Sequence, residues 1–214
     1  MYFCNDVDLL PWEPALFFES SFAHQRLVHD APGTLTGNAL VMSSAVLGPI
    51  APGMVAAVTL ADDSLTQLLE ITAVADTTHA TVSSLRGRND EGLIPPLTGG
   101  SVKVTITSFR PQVAAVGDEL LALVGIASDR ETDPTPGATN LAGFRTAATF
   151  ATLAALFRTL AATTNATTLT LSKLNFYDRL ASGTRHAISV SIDTNNDSLS
   201  DSVRRADTLS LQRT

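Results

Sequence analysis

In the stretch Val102-Lys103-Val104-Thr105-Ile106-Thr107, apolar and polar side chains alternate without a break. A period of two puts Val102, Val104 and Ile106 on one face of an extended chain and their polar neighbours on the other. That is the pattern of a half-buried β-strand. Upstream, short apolar runs separated by Gly, Pro and Asp recur: Leu40–Met42 with its flanks, Met54–Leu60, Leu68–Val74 and Ala80–Leu85. Turns are expected at Pro49–Gly53, Ala61–Ser64, Ala75–Thr78 and Arg86–Gly100. Five strands at this spacing predict a small antiparallel barrel or sandwich of about 75 residues.

Downstream the periodicity changes. Pro111 suits a first helical turn, and Val113, Val116, Leu120, Leu121 and Val124 follow at helical spacing, with Gly125 as the stop. Ser128–Asn140, carrying Pro134, Pro136 and Gly137, reads as a loop. A second helix is expected over Leu141–Thr163. Phe144, Ala148, Ala151, Ala155 and Phe157 form no single stripe in it, the mark of a helix buried on several sides. Thr168–Ser182 mixes an alternating pair, Leu169 and Leu171, with a three-residue step, Leu174, Tyr177 and Leu180, and is read as a helix. Ala187–Asp193 and Asp207–Gln212 alternate as strands and are expected to pair across the Asp/Asn/Ser connection Thr194–Ala206.

Residues 1–30 follow neither period. Pro11 and Pro14 bracket Trp12, each fixing φ and removing a donor. The segment reads as an extended arm lying over its own subunit or a neighbour. Its large apolar side chains, Trp12, Leu16, Phe17, Phe18 and Phe22, are the candidate interface anchors. Removing residues 1–20 is then expected to leave a folded protein that fails to join its assembly. The fold class expected is α+β: an N-terminal arm (1–30), an antiparallel β module (31–110), and helices with a C-terminal β-hairpin (111–214), the last two able to form one continuous domain.

Composition narrows the function. Charged residues make up 16% of the 214, below the roughly 25% usual in soluble domains. Ala and Thr take their place, giving a weakly self-repelling surface that suits packed subunits or simply an exposed β face. The net charge of −7 argues against a dedicated nucleic-acid binder, and the adjacent Arg204 and Arg205 are too few to make a phosphate-binding patch. Cys4 is the sole cysteine, which excludes an internal disulfide and fits folding in a reducing cytoplasm. The N-terminus lacks the features of a secretion signal, and no uninterrupted apolar run approaches the 18 or so residues of a membrane span.

Motifs that carry chemistry are sparse. Asp193, Asn195, Asp197 and Asp201 stand at positions 1, 3, 5 and 9 of an EF-hand-like run, where a hard cation would gather oxygen ligands. Against calcium, Ser198 replaces the glycine of position 6 and Arg204 the acid of position 12, and Asp and Asn populate tight turns for backbone reasons alone. Cys4 with His24, His29, His79 or His186 would be needed for a thiol nucleophile, from a position close to the chain's start. No HExxH, P-loop, GxGxxG or GxSxG sequence occurs. The pairs Asp62–Asp63 and Asp90–Glu91 fall in turns, and Asp118–Glu119 is read as favouring the positive end of its helix. No catalytic residue and no cofactor is assigned.

Three stretches resemble proteins of tailed-bacteriophage particles. DVDLLPWEPALFFES (Asp6–Ser20) looks like the start of virion proteins from the head and neck. ITAVADTTHATVSSLRGRNDEGLIPP (Ile71–Pro96) is similar to a recurring strand–turn–strand pattern that leads into an Arg-Gly segment. VSIDTNNDSLSDSVRRADTLSLQR resembles a terminal hairpin of the same class. The resemblance implies a non-enzymatic structural subunit of the virion, most like a head–tail connector (neck) protein. It would assemble in the host cytoplasm as a homo-oligomeric ring around the DNA channel. Its partners would be the portal or adaptor and tail proteins, with DNA passing through unread and no membrane involved. A capsid decoration or minor head protein and a tail or baseplate component are the near alternatives. A hydrolase without a recognisable motif is the alternative from another class.

Overall fold

The computed structural model describes residues 3–88, 90–97, 99–124, 141–163, 167–192 and 202–206. The chain divides into two compact units, Asn5–Phe109 and a second made of Met1–Cys4 with Arg110–Thr214. The fold is α+β.

In the first unit six strands close into an antiparallel barrel: β1 (Arg26–Thr36), β2 (Ala39–Met42), β3 (Val55–Leu60), β4 (Thr66–Val74), β5 (His79–Ser83) and β6 (Gly100–Thr107). Their order around the barrel is β1-β2-β5-β4-β3-β6, with β6 pairing back onto β1. Closure removes the open edges that a six-stranded sheet would otherwise expose. Alternation fills the interior: Val102, Val104 and Ile106 from β6 meet Leu69 and Ile71 from β4, Ala56 and Val58 from β3, and Val28 and Leu35 from β1.

The strand absent from the sequence expectation is β1. Its buried positions alternate only from Gly33 onward, and its pairing with β6 slips twice, between Arg26 and Val28 and between Val28 and Ala31. Asp30 sits there at φ +46, with Pro32 and Gly33 just beyond. Bulges of this kind carry a strand past residues that regular strands avoid.

The N-terminal segment lies over its own subunit, one of the two placements expected of it, but it is coiled rather than extended. Asp6–Leu9 forms a short helix (α1), and two 3₁₀ turns follow, Pro14–Phe18 and Ser20–Gln25. The first turn packs on β3 and the second on β6. Val55 and Ala57 are therefore buried alongside the inward-facing Ala56 and Val58.

In the second unit, α2 (Arg110–Leu123), α3 (Leu141–Thr163) and α4 (Thr168–Arg185) are antecedent to a two-stranded antiparallel sheet, β7 (Ser189–Ile192) with β8 (Ser202–Arg205). The middle helix α3 packs on both α2 and α4, which explains its apolar character all round. Within it, Gly143–Thr163 is long and apolar enough to cross a bilayer by length and composition, although no uninterrupted apolar run marks it in the sequence. Of that window, 61% is buried inside the protein. The partner of β7 also differs from expectation: β8 lies within the stretch read as a connection, and Asp207–Gln212 falls outside the described residues.

Candidate interaction surfaces

The N-terminal segment is fastened at several points. The Asn5 amide donates to Asp8 Oδ2 at 2.7 Å, closing the first turn of α1. The Val7 amide donates to the Gly53 carbonyl at 3.0 Å. Gly53 itself has φ +86, and a Cβ there would lie 2.8 Å from the Asn5 side chain, so glycine is required. Asp6 is buried, and its Oδ1 accepts from the Phe109 amide at 2.9 Å. Phe17 and Phe22 then meet the Phe109 ring edge-on, with centroids 5.4 and 5.2 Å away.

This geometry divides the five candidate anchors. Leu16, Phe17 and Phe22 lie in the subunit's own interior, at 3%, 2% and 0% exposure. Trp12 and Phe18 remain about half exposed. Leu27, the second residue of β1, is also exposed. It follows Arg26, which pairs with Thr107, and Thr107 in turn donates to the Phe17 carbonyl. Phe18 and Leu27 therefore flank the end of β6.

A second surface is formed by the loop that joins β5 to β6 in the chain. Glu70 is outward-facing on β4, yet it is buried because Arg86 folds over it. The guanidinium grips the carboxylate with both arms, Nε to Oε2 at 3.1 Å and Nη2 to Oε1 at 2.6 Å. The two side chains are only 9% and 5% exposed. Such a fork is the strong form of a charge-assisted hydrogen bond, and the hydrogen bond that Arg86 donates to Glu70 is the main cause raising the Arg86 pKa above its already high value.

The remaining arm, Nη1, donates to the Glu91 carbonyl at 3.0 Å, and the Glu91 carboxylate accepts from the Gly87 amide at 2.9 Å. Further along, the Ser84 amide donates to Ile94 O, the Ile94 amide donates to Ser83 Oγ, and Asn38 Nδ2 donates to Val82 O and Ile94 O. The Leu97 amide donates to Gln67 Oε1 at 3.1 Å. The loop from Ser84 to Leu97 is thus tied to β4, to β5 and to the β1–β2 turn. Its apolar side chains point outward: Leu93 and Ile94 are nearly half exposed and Leu97 is 82% exposed.

Beside the ion pair lies a cleft of about 240 Å³ lined by Asn5, Val7, Gly53, Glu70, Thr72 and Arg86. Thr72 donates its hydroxyl to the Thr81 carbonyl, and Arg86 is committed to Glu70 and Glu91. The cleft's polar groups hold the barrel wall together.

The other sequence candidates are dispersed. Cys4 is buried, while His24, His29, His79 and His186 are exposed. His79 caps the β4–β5 turn, its Nδ1 2.9 Å from Asp76 Oδ2. That bond, with those from Thr78, holds the Asp76 carboxyl well below the usual carboxylate range. Asp62 is lowered likewise by Ser64, Asp63 pairs with Lys103 at 2.9 Å, and Asp90 pairs with Arg88 at 3.0 Å.

Asp118 and Glu119 fall in the second half of α2 rather than its first turn, so the helix dipole does not explain them. Glu119 instead accepts from Arg185 of α4 at 3.1 Å. Among the described residues no group of three or more His, Cys, Asp or Glu side chains converges. Asp193, Asn195, Asp197 and Asp201 lie outside the described residues. In comparisons with protein families, curated proteins and solved structures, the chain matches no family model, no curated protein and no solved structure.

Sequence reading missed the surface formed by the loop that joins β5 to β6. Gly92, Pro95 and Pro96 marked it as a turn, which is correct for the backbone and silent about the side chains. The usable signal was Leu93, Ile94 and Leu97, three large apolar residues in a segment that proline and glycine bar from the core.

Proposed function

We propose that this chain is a non-enzymatic structural subunit of a tailed-phage virion, belonging to the head–tail connector (neck) ring. The observation that carries the reading is the loop from Ser84 to Leu97. A buried, bidentate ion pair fixes the shape of a surface loop whose apolar side chains face solvent. Ordering those residues costs conformational entropy, and an interface made with a pre-shaped loop recovers that cost on binding. The same Arg-Gly loop carries part of the resemblance to phage virion proteins. Exposed Trp12 and Phe18 supply stiff aromatic anchors on a second surface.

Under this reading the partners are other copies of the chain, the portal or adaptor on one side, and tail proteins on the other. The negative balance suits a channel that DNA traverses without being held. Quantitative mass spectrometry of purified particles from the source tests the proposal. The neck reading expects the chain at the low copy number of a single ring. Hundreds of copies would move it to the shell as a decoration protein, and its absence from particles would defeat the virion reading.

A further inference from the structure

We infer that the groove between α2, α3 and α4 is a binding site for a small zwitterion of the α-amino-acid class. The site lies wholly in the helical unit and does not depend on the virion reading. Helical spacing builds it. Ala151, Ala155 and Arg158 recur at steps of four and three on α3, with Ala154 beside them. On α4, Asp178, Ala181, Ser182 and Arg185 share one face in the same way. Val116 and Glu119, one turn apart on α2, complete the wall. Alanine at four positions where larger side chains would fill the space leaves a cavity of about 160 Å³. That is several times the ~30 Å³ share of one water. It is also well below the roughly 300 Å³ at which drug-sized sites begin, so it suits a small solute.

Two ion pairs flank the alanine floor. Arg158 Nη2 donates to Asp178 Oδ1 at 3.0 Å, and Arg185 Nη2 donates to Glu119 Oε1 at 3.1 Å. Unlike the two-armed Arg86–Glu70 fork, each pair uses one nitrogen and one oxygen, and each is partly exposed. Pairs of this kind give up little by exchanging partners. One donor is left over: Arg185 Nε is buried and has no hydrogen-bond partner among the described residues. Buried donors are ordinarily satisfied. A ligand carboxylate that takes the place of Glu119 would accept from Nε and Nη2 together, the two-armed grip that Glu119 does not make. The Arg185 side chain is 34% exposed, so it can turn that edge toward the groove. Charge balance selects the rest of the ligand. Two arginines and two carboxylates line the groove, so a simple anion would meet Glu119 and Asp178, and a simple cation would meet the arginines. A molecule bearing both charges places its carboxylate on Arg185 and its ammonium on the displaced Glu119. A short apolar side chain then lies on the alanines.

The test uses the full chain, labelled with nitrogen-15, and follows the Arg185 Nε–H signal by NMR as L-alanine is added. L-alanine is expected to move that signal along a saturable curve. Acetate and ethylammonium, which carry one charge each, are expected to bind at least tenfold more weakly. Arg185→Lys keeps the charge and removes Nε, whereas Ala155→Leu fills the cavity and keeps every charge. Each is expected to weaken L-alanine binding at least tenfold, read from the Ala181 and Ser182 amides. Circular dichroism melting confirms that each variant folds, and Arg185→Lys alone carries the test where Ala155→Leu does not. No saturable shift with L-alanine, or a folded variant that binds it like wild type, would overturn the inference. Acetate bound as tightly as L-alanine would overturn it too, leaving a plain anion site. A chain absent from particles would sink the virion reading and leave this site standing.

Discussion

Glu70 faces outward on β4 and would be an ordinary surface carboxylate were Arg86 not folded across it. Removing one partner of a buried pair leaves the other charge desolvated, at a cost of about 3 kcal/mol. Glu70→Gln is therefore expected to lower unfolding stability by about that amount. It should also speed amide hydrogen exchange at Gly87 and Ile94, whose hydrogen bonds shape the loop. Unchanged exchange at those two amides would show that the ion pair does not set the loop's shape.

A second residue-scale prediction concerns Asp76. Its folded-state pKa is lowered, so its contribution to the β4–β5 turn is present above the unfolded value of about 3.9 and fades as pH falls through the folded value. His79→Ala removes the first cause of that shift. An NMR titration of the Asp76 carboxyl should then move back toward the ordinary carboxylate range.

At the scale of elements, the N-terminal segment changes its assignment most. Read as an arm reaching a neighbour, it should be removable without loss of the fold. In the structure it covers the outer faces of β3 and β6 and buries Leu9, Leu10, Leu16 and Phe17. Deleting residues 1–20 is accordingly expected to expose Val55, Ala57 and Phe109 and to give a protein that aggregates or melts well below wild type. A truncated chain that melts like wild type would restore the arm reading.

The sequence signalled each element about as strongly as its periodicity allowed. β6 was visible because alternation survives in it, β2 to β5 because short apolar runs stand between Gly, Pro and Asp turns, and α3 because an all-round apolar helix has few other uses. β1 was hidden by Asp30, Pro32 and Gly33, and by register slips, one of them at Asp30, that only the pairing with β6 reveals. β8 was hidden because Ser202-Val203-Arg204-Arg205 holds one apolar residue among polar ones. Among the aromatic residues 17 to 22, composition cannot tell Phe17 and Phe22 from Phe18. The 3₁₀ turns make that choice. The Glu70–Arg86 contact joins residues 16 apart across the β4–β5 hairpin and the first residues of the loop beyond it, so no local spacing rule announces it.

At the scale of the whole molecule, the barrel unit supplies a rigid closed frame and the surfaces it displays. In the helical unit α3 is gripped by α2 and α4, with Phe157 stacked on Tyr177 at 5.6 Å and Arg158 paired to Asp178 across the helices. Leu169, Leu171 and Phe176 stay exposed on α4. Under the proposed function these surfaces serve a particle rather than a reaction. Immunogold electron microscopy of intact particles from the source, with antibody against the purified chain, tests it most directly. The expected result is label confined to the head–tail junction. Particles that carry no label and contain no peptide of this chain by mass spectrometry, with the protein free in the lysate, would contradict it.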